Sequence, residues 1–160
     1  MRPFTDALKE QIDIRIKNGI DISDLIKDVD IKGQDFSRAI IKEFNRVNDD
    51  ISNCSFFQAI IGQEDTILNL SGTKMVKTNF KQAKLLGEVL LKGVNARNAT
   101  FTSVYMPYAV MQYSDFRGAN FCGMITKISS TNWKASKFDI DMLKTLAEMI
   151  NMDVIFKPKE

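Results

Sequence analysis

Residues 113–121 read YSDFRGANF: Phe116 and Phe121 stand five apart, with Ser114 and Ala119 two places before them. An α-helix repeats about every 3.6 residues and a β-strand every two, so neither accounts for a beat of five. Outward in fives, one register holds Phe101, Met106, Met111, Phe116 and Phe121, with Ala99, Val104, Ala109, Ser114 and Ala119 upstream. A second, one residue out of phase, holds Leu70, Met75, Phe80, Leu85 and Leu90, with Thr73, Thr78 and Ala83 upstream. A third holds Phe36, Ile41, Ile51, Phe56 and Ile61, with Ala39, Cys54 and Ala59. The beat runs from about residue 34 to about 126 and slips twice, near Gly62-Gln63-Glu64-Asp65 and near Asn95-Ala96-Arg97. Arg46, Asp65 and Asn95 fall where a large apolar residue is expected, which predicts distorted sides there.

A large and a small side chain separated by one residue both point inward on an extended segment. The other three positions of each five are mostly polar. Such a unit makes one short side and a corner, and its repetition winds the chain into a solenoid in which each turn contacts only its neighbours.

FSRAI, TNFKQAKL, NATF, YSDF and RGANF resemble the A(D/N)Lxx units of the pentapeptide-repeat family, over about 90 of the 160 residues. The resemblance implies a mainly β fold, a right-handed quadrilateral β-helix with four repeats per coil. Residues about 20 apart would then stack, placing Phe36, Phe56, Met75, Asn95 and Phe116 in one column and Ile41, Ile61, Phe80, Phe101 and Phe121 in the next. The expected interior stack is Phe36, Ile41, Phe56, Ile61, Met75, Phe80, Leu85, Leu90, Phe101, Met106, Met111, Phe116 and Phe121.

A solenoid has two open ends that need covering. Thr5 to Asn18 is a candidate N-terminal helix, with Thr5 or Asp6 as N-cap and Gly19 ending it. Ile20, Ile22, Leu25, Ile26, Val29 and Ile31 look like a degenerate first coil. FDIDMLKTLAEMIN, residues 138–151, reads as a C-terminal helix whose apolar stripe is Phe138, Met142, Leu143, Leu146, Met149 and Ile150. The expected organisation is a single domain over 1–160: a capping helix and first coil at 1–33, a β-helix at 34–137, and a helix and tail at 138–160. In pentapeptide-repeat proteins of fluoroquinolone resistance, C-terminal helices pair two subunits. The stripe is therefore either a homodimer face or a monomeric cap.

Composition narrows function. Apolar residues are 44% and charged residues 26%, ordinary for a soluble chain, and no apolar run is long enough to span a bilayer. With no basic-then-apolar leader pattern, a cytoplasmic location is the expectation. There is no histidine, and Cys54 and Cys122 lie far apart, which removes histidine-based triads and the usual zinc sets. No cofactor or metal is expected. The net charge of +2 divides into −1 over 1–33, +5 over 34–137 and −2 over 138–160. That is too weak a basic bias for a nucleic-acid footprint.

Among single residues, Cys54 reads as core and Cys122 as outward. Lys77, Arg97 and Arg117 are a candidate basic edge on successive coils, or simply a solvated edge. Asp49-Asp50, Glu64-Asp65 and Asp139/Asp141 are the carboxylate pairs, but a filled solenoid leaves no cleft for acid–base work, and Asp139 or Asp141 suits a helix cap. Trp133 is either an end plug or an interface anchor. The leading expectation is a non-enzymatic structural or interaction module with an unidentified protein partner. The alternative implied by the resemblance is a DNA mimic that binds a topoisomerase such as DNA gyrase. Phosphate mimicry needs a strongly negative surface, and +5 over the repeats weighs against it.

Overall fold

The computed structural model describes residues 1–126, 136–141, 143 and 144. Its elements are α1 (Asp6–Lys17), α2 (Ser23–Ile26), β1 (Ile40–Ile41), β2 (Ile60–Ile61), β3 (Ile67–Asn69), β4 (Lys84–Leu85), β5 (Glu88–Leu90) and β6 (Tyr108–Val110). Two three-stranded parallel sheets, β1-β2-β4 and β3-β5-β6, form two adjoining sides of a coil. Isolated parallel bridges complete the others: Asp35, Ser55, Asn79, Thr100 and Asn120 on side A, and Asp50, Lys74, Asn95, Asp115 and Lys137 on side D. Sides B and C are the two sheets. At about 4.8 Å per level, five stacked coils make a rod roughly 20 Å long.

The inward residues form four columns. On side A, Phe36, Phe56, Phe80, Phe101 and Phe121 stack with centroids 5.5, 5.2, 5.4 and 4.7 Å apart. The backbone carries the same register, with Phe36, Phe56, Phe80 and Phe101 N–H donating to Ser55, Asn79, Thr100 and Asn120 carbonyls at 2.7, 2.7, 2.8 and 2.7 Å. Side B stacks Ile41, Ile61, Leu85 and Met106, and side D stacks Ile51, Met75, Ala96, Phe116 and Phe138. On side C the order is Arg46, Leu70, Leu91 and Met111.

This corrects the two columns expected from a uniform step of 20. Ser55 pairs with Asn79, 24 residues on against 20 for Asp35 and Ser55, because the stretch around residues 62–66 adds four residues between sides B and C. Phe80 therefore sits over Phe56, and Met75 does not. The second slip also lies at this corner, not at Asn95: interior positions step from Leu85 to Leu91 through Gly87. Leu90 consequently does not belong to the interior. It is half-buried, while Val89 and Leu91 on either side are fully enclosed. Asn95 is likewise half-buried with Ala96 inside, and Asp65 is exposed in the insertion.

Corner geometry explains why both slips share one place. On sides A, C and D the residue two beyond the large inward one turns the chain with positive φ. Arg38, Asn48, Asn53, Gln58, Lys77, Gln82, Asn98, Ser103 and Tyr113 do so at φ between 55° and 66°. A tight left-handed turn fixes the count at five. The corner from B to C has no such residue at Glu43 or Tyr108, and the chain there stays extended. The two coils that carry added residues turn here instead through glycine, Gly62 at φ 85° and Gly87 at φ 82°, and the ladders on either side stay intact.

The small inward position tolerates hydroxyls and a thiol because each finds a carbonyl one coil below. Thr73 Oγ1 donates to Arg46 O at 2.5 Å, Thr78 Oγ1 to Ile51 O at 2.9 Å, Ser114 Oγ to Leu91 O at 2.6 Å and Cys54 Sγ to Ile31 O at 2.9 Å.

At the N-terminal end, Thr5 Oγ1 accepts from Leu8 N–H at 3.2 Å and α1 ends before Gly19 at φ 64°. Ile12 is buried in the common core, and the Phe4 ring meets Phe36 edge-on at 6.2 Å. Ile22, Ile26, Val29 and Ile31 are enclosed, Leu25 is half-buried, and Ile20 faces solvent. At the other end Phe138 stacks on Phe116 at 5.4 Å, Leu143 is half-buried, and Leu143 N–H donates to Asp139 O. Met142, Leu146, Met149, Ile150 and Trp133 lie outside the described residues.

Candidate interaction surface

Five coils packed with phenylalanine, methionine and aliphatic chains leave the axis filled, so chemistry and recognition are confined to outward residues. Among the described residues no group of three or more acids and cysteines is arranged to hold a metal ion. No helix among them is long and apolar enough to cross a membrane.

Side D is ionic. Asp50 Oδ2 lies 2.9 Å from Lys32 Nζ and 3.5 Å from Lys74 Nζ. Burial raises the Asp50 carboxyl pKa, but hydrogen bonds from Ser52 and Lys32 outweigh that and hold it well below the usual range. Three coils on, Arg117 donates to Asp115 at 2.8 and 2.6 Å, and chiefly through these bonds the Asp115 carboxyl falls to about 2. The expected basic edge is thus partly neutralised. Arg97 and Arg117 hold the same corner position on consecutive coils, and Lys77 sits one position along, its N–H donating to Arg97 O at 3.0 Å. Arg117 is committed to Asp115, while Lys77 and Arg97 form no ion pair among the described residues. The Asp139 carboxylate accepts from Gly118 N–H, and its carbonyl accepts from Leu143 N–H at 3.1 Å.

Neither cysteine is paired. Burial, the dominant cause, pushes the Cys54 thiol up to about 11, so it is inert as a nucleophile. Cys122 is exposed.

The least ordinary outward surface lies on sides B and C, and single-residue reading of the five-beat missed it. The ladder Ile60, Lys84, Tyr105, Ile125 runs along side B. Ile67, Glu88 and Tyr108 form a second ladder at the start of side C. Ile67, Ile125, Tyr108 and Tyr105 are 63%, 61%, 42% and 39% exposed. The signal was present in the sequence: the residue just before the large inward one is polar along side A but, Lys84 apart, isoleucine or tyrosine on side B. Below these ladders, toward the N-terminus, α2 and residues 62–66 enclose a cleft of about 720 Å³ whose apolar floor includes Ile26, Phe44 and Leu68.

A closed parallel ladder of quadrilateral section, with both faces of each wall read by fives, defines a β-helical repeat protein. Residues 86–123 match the model for pentapeptide repeats, in eight copies, and the chain shares the right-handed β-helix of solved pentapeptide-repeat proteins. Trypsin-treated QnrB1, a plasmid-mediated fluoroquinolone resistance protein, shares the fold at TM-score 0.52 and 16% identity, covering 79% of this chain and 71% of that one. A pentapeptide repeat protein of the Arabidopsis thaliana thylakoid lumen matches at TM-score 0.33 and 20% identity, covering 74% of each chain. HetL of Nostoc sp. strain PCC 7120, involved in heterocyst differentiation regulation, matches at TM-score 0.37 and 16% identity, covering 74% of this chain and 57% of its own. No curated protein matches the sequence.

Proposed function

We propose that this β-helical repeat protein is a non-enzymatic interaction module whose partner-facing surface is the apolar wall of sides B and C. α1 buries Ile12 in the common core at the N-terminal end, and the filled interior leaves the walls as the functional area. One observation carries the reading: Ile60, Tyr105, Ile125, Ile67 and Tyr108 are held outward on rigid ladders, where exposed aromatic and aliphatic clusters mark binding surfaces. The topoisomerase reading has less support, because side D alternates Asp50, Lys74, Asp115 and Lys137 and carries Lys77 and Arg97 beside them. The test is quantitative affinity capture from the source cell with the tagged chain and with Tyr105→Ala/Ile125→Ser. A partner enriched by the first and lost with the second is expected. Capture unchanged by the double variant would sink the reading.

A further inference from the structure

The cleft beside residues 62–66 is open, and its surroundings combine two properties. Its floor is apolar, as above, and Ile67 at its rim stands exposed. Acidic residues dominate the same corner. Asp28 and Glu43 line the cleft, Glu64 and Asp65 project from the insertion, and Glu88 follows on the next coil below Tyr108. Their carboxylates form no ion pair among the described residues, whereas Asp24 is held by Arg15 and Asp21 by Ser23 and the Lys42 N–H. Lys27, Lys42 and Arg46 are the cations lining the cleft, and Arg46 is paired with Asp49, so with Glu64, Asp65 and Glu88 beside it the corner stays net negative. Every buried side-chain nitrogen and oxygen among the described residues is already hydrogen-bonded. The cleft therefore holds no buried, unpaired polar atom, and its open acceptors are the exposed carboxylates. Ile26, Phe44 and Leu68 are themselves buried, so what remains open is the Ile67 side chain and negative charge.

Resting on the interaction-module reading, we infer that this cleft docks a cationic amphipathic segment of a partner protein, an apolar side chain seated against the exposed Ile67 at its rim. Lysine or arginine side chains of the segment face Glu43, Glu64 and Glu88, and its far end meets Tyr108, whose ring also suits a cation. The opposite corner, with Lys77, Arg97 and Arg117, repels the same segment, which fixes the side on which it lands.

The probe is a fluorescein-labelled Lys/Leu amphipathic peptide, read by anisotropy against the same peptide with Glu for every Lys. Saturable binding of the Lys/Leu peptide is expected, weakened about tenfold or more by Glu43→Lys/Glu64→Lys and separately by Ile67→Ser, and weakened by added salt. Arg97→Glu should leave it unchanged, and circular dichroism of each variant reports folding. Absence of binding, equal binding of both peptides, or loss only with Arg97→Glu overturns the inference. So does salt-sensitive self-association in sedimentation that Glu43→Lys/Glu64→Lys abolishes, since a second copy then occupies the corner. If the peptide fails while Tyr105→Ala/Ile125→Ser still abolishes partner capture, only this inference falls. If capture is indifferent to that variant, the module surface falls whatever the peptide does.

Discussion

Arg46 Nη1 stands 2.8 Å from Asp49 Oδ2 inside the solenoid wall, with side chains only 3% and 10% exposed. The same guanidinium donates to Val29 O at 3.0 Å and Ile26 O at 2.5 Å, and lies 5.3 Å from the centre of the Phe44 ring. It thereby ties the irregular first coil to the first regular one. Removing one member of a buried pair strands the other, at about 3–5 kcal/mol. Asp49→Ala is therefore expected to lose about 3 kcal/mol. Arg46→Leu/Asp49→Ala, whose leucine matches Leu70, Leu91 and Met111 above it, should lose less, because both charges vanish together although two carbonyls lose a donor. Urea denaturation followed by circular dichroism ranks the two, and the reverse order would refute the pairing.

Phe80 lies between Phe56 and Phe101, at centroid separations of 5.2 and 5.4 Å, and is fully enclosed. Phe80→Ala should cost about 3–5 kcal/mol through lost burial and a cavity that the stacked coils above and below cannot close. Leu90→Ala, on the outer side of β5, should cost under about 1 kcal/mol. Equal losses in the same unfolding experiment would return Leu90 to the interior.

Periodicity alone disclosed the inward residues around Phe36, Phe101 and Phe116, because each large residue came with a small one at fixed offset. Stacking was not disclosed, since a column depends on coil length, and four residues hidden at the B-to-C corner shift every later partner. The residues that permit this carry no marker. Left-handed corners are held by Arg38, Gln58, Lys77 and Tyr113 as readily as by glycine, so their absence at Glu43 and Tyr108 is invisible in one sequence. Arg46 looked like a break in the pattern, and only the carbonyls of Ile26 and Val29 show why a cation fits there. The outward ladders were readable in composition, but their alignment again needed the register.

Acid sensitivity follows from side D. The Asp115 carboxyl, held chiefly by the Arg117 hydrogen bond, sits near 2, against 3.8 for the free group. A folded-state pKa below the unfolded one contributes stability that is whole above the unfolded value and lost as pH falls toward the folded one. Asp50 shifts in the same direction. Melting temperature should hold steady above about pH 5 and fall below about pH 4. Asp50→Asn/Asp115→Asn should flatten that fall while lowering stability at neutral pH. An unaltered acid limb in the double variant would place the titrating groups elsewhere.

Gly87 and Gly93 share positive φ, 82° and 68°, but differ in surroundings. A Cβ at Gly93 meets nothing within 4 Å, so Gly93→Ala should cost only the left-handed backbone penalty, about 1 kcal/mol. A Cβ at Gly87 would lie 2.6 Å from Gln63 O and closer still to Thr66 O, the carbonyl that receives Glu88 N–H. Those atoms are backbone and have no rotamer in which to retreat. Gly87→Ala must therefore push residues 62–66 outward or unpair β3 from β5, at roughly 2 kcal/mol or more beyond Gly93→Ala. The displaced residues also form a wall of the cleft beneath Ile67. The same variant should weaken the Lys/Leu peptide without touching any carboxylate, and Gly93→Ala should not. Parallel losses from both glycines, in stability and in peptide affinity, would show that the inserted corner is not packed over Gly87.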